Sequence, residues 1–559
     1  MHDLLIKNAM IVDGLGGAPL AGALAVRDGR IAAIGRDLGA AREIIDAGGL
    51  TLAPGIIDGH THYDAQITWD PFADPSPSLG VTTIVIGNCG FTIAPCRAAD
   101  REITMRNLTH VEGMSLDALR AGIAWDFESF PDYLAILERR GVVPNVAAFI
   151  GHSSVRTYVL GEDASRRAAR DTEIAAMQRL VREAMAAGAV GFATSTNEPH
   201  NGENGVPMPS RLAEDRELRG LVKAMGESGR GIFMLTKGTK TSIPYLEGIA
   251  AESGRPVLIA ALQHNPVNPE GVFGAIAEIA AARRRGHRLV GQVSCTPLTM
   301  DFTLKSPYLF ESFEAWKPAM AAQGAALAAV YRSEAFRAAV KSEMAALRGM
   351  RLFNSEWHKV EVTAVANEKN RALEGRRVDQ LAAEAGQHPL DWLLDFALSE
   401  ELETLFTAML LNSDEAAVGR LIADPETHVA LSDAGAHLTF LCDADFGLHL
   451  LGHWVRDRGV LTLAEAVRKL TSQPAALFGI ADRGKLEPGC AADLILFDPA
   501  TVGRGEKRRV HDLPTGAARL TTPPRGLHGV WVNGTRIADE RGLIRSDERP
   551  GKVLREFAG

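Results

Sequence analysis

The sequence predicts an α/β fold: a (β/α)8 barrel of the TIM type, with a small β-sandwich domain formed from both chain ends and a helical insertion after strand seven. Three observations predict it. Apolar strands alternate with amphipathic helices through the middle of the chain with a period of ~30–40 residues, the rhythm of parallel βαβ units. The two ends follow another rhythm, short strands joined by Asp-Gly or Asn-Gly turns. And each apolar run of the middle stops at a polar or ionisable residue, where a barrel keeps its chemistry.

In chain order, "LLIKNAMIVDG" and "LAVRDGRIAAIG" are short strands turned at Asp13-Gly14 and Asp28-Gly29, and "ADLILFDP" and "GVWVNGTRIADERG" repeat that style with a hairpin at Asn533-Gly534. Neither end holds enough strands for a core of its own. Residues 1–55 and 480–559 are therefore expected to form one β domain, with a barrel of residues 56–479 inserted into it. Within the barrel, "DTEIAAMQRLVREAMAAG" puts Ile174, Met177, Leu180, Val181 and Met185 on one helical face. The strand "AVGFATS" follows, and the alternation continues through "GIFMLTKG", "PVLIAALQH" and "RLVGQVS". It breaks from about residue 297 to 386, a helical stretch with "SPYLFESFEAWKP" that is read either as a cover for the barrel mouth, with Tyr308 and Trp316 as an apolar lid, or as an ordinary surface helical pair.

Bulk properties exclude several classes. A net charge of -9 argues against a nucleic-acid partner held through phosphates. Five cysteines suggest no paired framework and suit a reducing, cytoplasmic setting. No apolar stretch approaches the ~20 residues of a membrane span. "GGAPLAGA" lacks the strand and helix that a nucleotide loop needs.

The residues that end the strands carry the chemistry. The first strand ends in "GHTH", placing His60 and His62 on one side. The second ends at Asn88 and Cys89, the third at His152, the fourth at Thr194 and Ser195, the fifth at Lys237. The sixth ends at Gln263 and His264, the seventh at Ser294, and the eighth at Asp433 with His437 four residues on.

These motifs resemble the amidohydrolase superfamily, and within it the D-aminoacylase (N-acyl-D-amino-acid deacylase) branch. The resemblance rests on "PGIIDGHTHYD", "GVTTIVIGNCG", "IGHSSVR", "GAVGFATS", "SDAGAH" and "TSQPAALFGIADRGKLEPGCAADLILFDP", and it runs over essentially the whole chain. It implies that His60, His62 and His264 are metal ligands, with Cys89 in the place other amidohydrolases give to a carbamylated lysine. It implies Asp433 as general base and then proton donor to the leaving amine. Zinc, one ion or two, suits imidazole and thiolate donors and amide hydrolysis.

Lys237 departs from the branch, which usually carries histidine there. Either it is carbamylated and bridges two metals, or the site holds one metal and Lys237 serves as a cation for a substrate carboxylate or the oxyanion. His152, Arg211, Ser294 and His437 are expected substrate contacts, and Cys96, Cys295, Cys442 and Cys490 are small core residues. The expected reaction is hydrolysis of a linear amide, deacylation of N-acyl amino acids of D configuration. A cyclic amide, a carbamate or an aryl amide is the alternative bond, and a non-catalytic binding barrel is the third reading. The expected partner is a small-molecule amide, with a homo-oligomer left open.

Overall fold

The computed structural model describes residues 1–559 except 203–204, 306, 347–350 and 439–440, and the side chain of Tyr308 also lies outside what is described. Eight parallel strands make one curled sheet: β1 (Ile56–Asp58), β2 (Val81–Ile86), β3 (Asn145–Gly151), β4 (Gly191–Ser195), β5 (Ile232–Thr236), β6 (Val257–Ala260), β7 (Leu289–Val293) and β8 (Thr427–Val429). Neighbours in space are neighbours in sequence, from β1 to β8. The edges meet just past the strand ends, where Thr61 and Ala434 form a parallel bridge and the His62 N–H donates to the Ala434 carbonyl at 2.7 Å. Helices follow the strands, among them Asp171–Ala187, whose Ile174, Met177, Val181 and Met185 are buried. Leu180, on the same predicted face, is only partly buried but packs on that core.

Both chain ends enter one nine-stranded sheet. Its two halves join where Thr51–Pro54 pairs antiparallel with Leu494–Phe497. The hairpins at Asp28-Gly29 and Asn533-Gly534 have positive φ at both turn residues, as a two-residue turn matched to the strand twist requires. Leu24, Val26, Leu52, Leu494 and Trp531 fill one face of this sheet. Asn145, opening β3, donates to Asp493 at 3.0 Å and so ties the barrel to it.

The chain divides into two compact units, the second made of Gln263–Gly271 and Thr296–Ala417. This unit is larger than the expected 297–386 insertion, and it is not purely helical. A three-stranded antiparallel sheet (Thr299–Phe302, Leu405–Met409, Val360–Ala364) lies within it. Trp316 is fully buried and stacks on Phe310 with ring centroids 4.1 Å apart, so it packs the unit's own core and is no lid.

The sixth strand also ends earlier than expected. β6 stops at Ala260, and His264 lies in the second unit, where its N–H donates to the Asn412 side chain at 2.9 Å and its carbonyl accepts the Asn412 N–H at 2.9 Å. Those bonds replace a strand ladder.

Candidate metal centre

Two strand ends of the barrel bring together two imidazoles and a thiol. Past β1 the chain bends at Gly59 and His60, and the Thr61 N–H then donates to the Val85 carbonyl of β2 at 3.1 Å. His60 and His62 flank that anchor and leave on its other side, ring centroids 5.3 Å apart. After β2, Gly87, Cys89 and Gly90 all have positive φ (85°, 58° and 75°). A side chain on Gly90 would stand 2.6 Å from the Ala193 carbonyl, so glycine is needed for this loop to pack on β4. The turn aims Cys89 inward. Its N–H points at the Met234 sulfur at 3.4 Å and its Sγ lies 3.0 Å from Thr236 Oγ1, both on β5.

Ligand atoms of His60, His62 and Cys89 lie within 4.8 Å of one another, and all three residues are buried. Asp433 joins them from the loop after β8, its Oδ1 3.3 Å from His60 Nε2 and 3.6 Å from His62 Nε2. Its side chain keeps 24% of its exposure, so this carboxylate faces the open side of the group. Leu431, Asp433 and His437 have φ of 66°, 47° and 53°, a run of left-handed residues held in place by their surroundings. Among those restraints, Ser432 Oγ donates to Asp58 at 2.6 Å.

The outer nitrogen of His60 is hydrogen-bonded, its Nδ1 2.7 Å from Gln292 Oε1 on β7. His62 Nδ1 faces a carboxylate instead, 3.1 Å from Glu112 Oε1 as an ion-pair contact without hydrogen-bond alignment. A partner that accepts from Nδ1–H leaves the Nε2 lone pair facing the group, the tautomer a metal requires. The donor set, two Nε2 atoms and a thiolate with an oxygen acceptor beside them, fits Zn²⁺.

Without a metal the group is a tightly coupled cluster of opposite charges. Burial pushes the Cys89 thiol up, but the His60 and His62 imidazoles outweigh it and hold the thiol below its usual range. Burial disfavours a charged His60, yet Cys89 and Asp433 raise it overall. Asp433 is held well below the ordinary carboxylate value, because the His62 and His60 imidazoles beside it overcome burial. Asp58, beneath the histidines, is pushed up to about 7 by burial.

The other expected site residues fare differently. His152 is completely buried, with Nδ1 2.8 Å from Thr194 Oγ1 and Nε2 2.9 Å from Glu217 Oε1; neither nitrogen remains for a substrate. Arg211 donates to the His200 carbonyl at 3.2 Å and to the Asn201 side chain, bracing the loop after β4 rather than presenting a free guanidinium. Ser294 is buried just past β7. His437 is half-buried on the Asp433 loop and its N–H donates to the Glu112 carbonyl.

Lys237 is half-buried directly after β5, its N–H donating to the Ala260 carbonyl at 2.7 Å. The β5 residue against Cys89 is its neighbour, Thr236.

Several residues of the site are not strand-end residues and escape a strand-end search. Glu112 caps the helix Arg101–Val111 and carries no motif signal. Gln292 does, as a polar residue inside an otherwise apolar strand, whereas Asp58 is itself the last residue of β1, passed over for the histidines that follow it. His200 sits near the group, Nδ1 2.7 Å from Ser195 Oγ and its ring edge-on to Phe91, and burial pushes it down to about 4.

Comparison with known proteins extends this geometry. The amidohydrolase family model matches residues 43–538. The chain is 32% identical to D-aminoacylase from Alcaligenes xylosoxydans xylosoxydans, over 100% of this chain and 98% of that protein. Among solved structures it superposes on a D-aminoacylase studied for its binuclear metal centre, where one metal activates and a second attenuates, with TM-score 0.67, 25% identity and 100% of both chains covered. It also superposes on N-acyl-D-glutamate deacylase from Bordetella bronchiseptica, complexed with zinc and a phosphonate mimic of the tetrahedral intermediate, with TM-score 0.67, 26% identity, and 99% and 100% covered.

Proposed function

Since the chain belongs to the amidohydrolase family, in its D-aminoacylase branch, we propose that it hydrolyses the linear amide of N-acyl-D-amino acids with a zinc ion held by His60, His62 and Cys89. The observation that carries this reading is the convergence of three ligand atoms within 4.8 Å, with the Asp433 carboxylate on their open side. His264 is assigned to the same site by family resemblance alone.

When bound, zinc supplies Lewis-acid polarisation of the amide carbonyl and makes water acidic enough to attack near neutral pH. The chain's own residues do the rest. Asp433, kept ionised by the imidazoles around it, takes a proton from the attacking water. Water oxygen bonds to the acyl carbon, Asp433 returns the proton to the amide nitrogen, and the C–N bond breaks to give a carboxylate and a free amine. Glu112 and Gln292 hold the two imidazoles still through this cycle.

Lys237 is taken as a cation for the substrate carboxylate or the oxyanion, with one metal in the working site, because the three clustered ligands already suffice for a catalytic zinc with one open position. The five cysteines are all free and buried, which suits a cytoplasmic enzyme. Among the described residues no helix is long and apolar enough to cross a membrane.

The test is a panel of N-acetyl-D- and N-acetyl-L-amino acids offered to zinc-loaded protein. Turnover of D substrates over their L counterparts is expected, and no turnover of any member sinks the reading.

A further inference from the structure

Beneath the metal ligands the barrel interior holds three polar nitrogens that neither site nor fold accounts for. Gln292 and His428 are both completely buried. Gln292 Nε2 and both ring nitrogens of His428 have no hydrogen-bond partner among the described residues. The two residues are direct neighbours in register on the parallel strands β7 and β8. Paired residues of parallel strands project to the same face, and Gln292 projects inward, where its Oε1 meets His60 Nδ1 at 2.7 Å. His428 therefore shares the interior with it. A side chain on Gly59 would come 2.6 Å from His428 Nε2, so the ring lies against the backbone just before His60.

Buried polar groups are almost always satisfied, and an internal water with about three bonds is the usual means where protein partners are out of reach. A neutral imidazole offers one acceptor and one donor. His428 is held neutral: burial, and then the charge of Lys469, push it down to about 3. A water between the two residues can accept from Gln292 Nε2–H and donate to the acceptor nitrogen of His428.

We propose that an internal water links Gln292 to His428, and that this link fixes the Gln292 amide so that His60 presents a bare Nε2 to the metal. The amide has two faces. With Oε1 toward His60, Nδ1 carries the proton and Nε2 is free to ligate. With the amide turned over, its NH2 donates to Nδ1, the proton moves to Nε2, and His60 cannot ligate. The structure shows the first orientation, and the water holds the amide in it by giving Gln292 Nε2–H the acceptor that the described residues do not supply, while its own hydrogen goes to His428. Gln292 and His428 are thus positioning residues, acting through His60. The inference rests on the proposed metal reading.

Two measurements test it. An atomic-resolution crystal structure should show an ordered water within hydrogen-bond reach of Gln292 Nε2 and a His428 nitrogen; a site there without water, or an amide turned over, overturns the proposal. The second is zinc affinity of the full chain, by chelator competition, across a double-mutant cycle. His428→Leu should weaken zinc binding about 10-fold. In a Gln292→Glu background, whose two carboxylate oxygens are equivalent, the same change should cost less than about twofold. Equal losses in both backgrounds mean a packing effect, and no loss in either means no link; both contradict the proposal. Should His428→Leu fail to fold, His428→Gln, which keeps an acceptor and a donor, is expected to bind zinc within about twofold of the unaltered protein. A 10-fold loss there overturns the proposal as well. Zinc binding absent from the unaltered protein would sink the metal reading, while the crystal structure still decides the water and the amide.

Discussion

Two buried histidine sites stand at strand ends of the same barrel, and they are built in opposite ways. Past β1, His60 and His62 each set one nitrogen against a neighbour, Gln292 or Glu112, and turn the other toward Cys89 and Asp433. At the end of β3, His152 spends both, on Thr194 and Glu217, and Glu217 also pairs with a completely buried Arg156. Strand-end position and residue type are alike. What separates a site from a strut is whether ring nitrogens are left over and whether they converge.

The largest expected effect breaks the first site. Asp433→Ala should lower kcat by about 10²–10⁴-fold, the usual worth of a general acid–base group, while bound metal per protein stays unchanged. Activity assays beside metal analysis of the same sample check it. Metal lost together with activity would make Asp433 a ligand rather than the base.

The second breaks the strut. Glu217→Ala leaves Arg156 buried and unpaired, which should cost about 3–5 kcal/mol of stability, read by denaturant unfolding. Zinc affinity should not change. Glu217 also links stability to pH. Burial raises its pKa, but the bond to His152 and the charges of His152 and Arg156 lower it overall. A depressed carboxylate contributes stability that is present above the ordinary glutamate value and lost as pH falls through the folded value. Glu217→Gln should therefore flatten the acid side of the stability curve.

Smaller effects sharpen the contrast within the metal site. Glu112→Gln keeps the shape but removes the charge beside His62, and should weaken zinc binding about 10–100-fold. Lys237→Ala separates the two readings of that residue. As a cation it should raise KM with metal content unchanged; as a carbamate it should lose a metal and regain activity with added small carboxylic acids.

The fold was readable because the barrel strands are buried on both faces and so appear as apolar runs, and because Asp-Gly and Asn-Gly turns announce their own geometry. His60, His62, Cys89 and Asp433 were readable for the same reason, as polar stops to apolar runs, and the structure brings them together. His152 has the same signature and a different fate, since local pattern does not reveal Glu217, 65 residues on. Glu112 enters from a helix end, through a contact that no periodicity encodes. The sheet of the second unit was missed because its strands are short and lie within helical sequence, and β6 was read too long because "AALQH" is apolar enough to extend it.

The proposed deacylation depends on a metal held by His60, His62 and Cys89. The most direct measurement is turnover of N-acetyl-D-amino acids by protein stripped with a chelator and then titrated with zinc. Activity should vanish on stripping and return in proportion to bound zinc, and turnover that survives complete removal of metal would contradict a metal-dependent reaction.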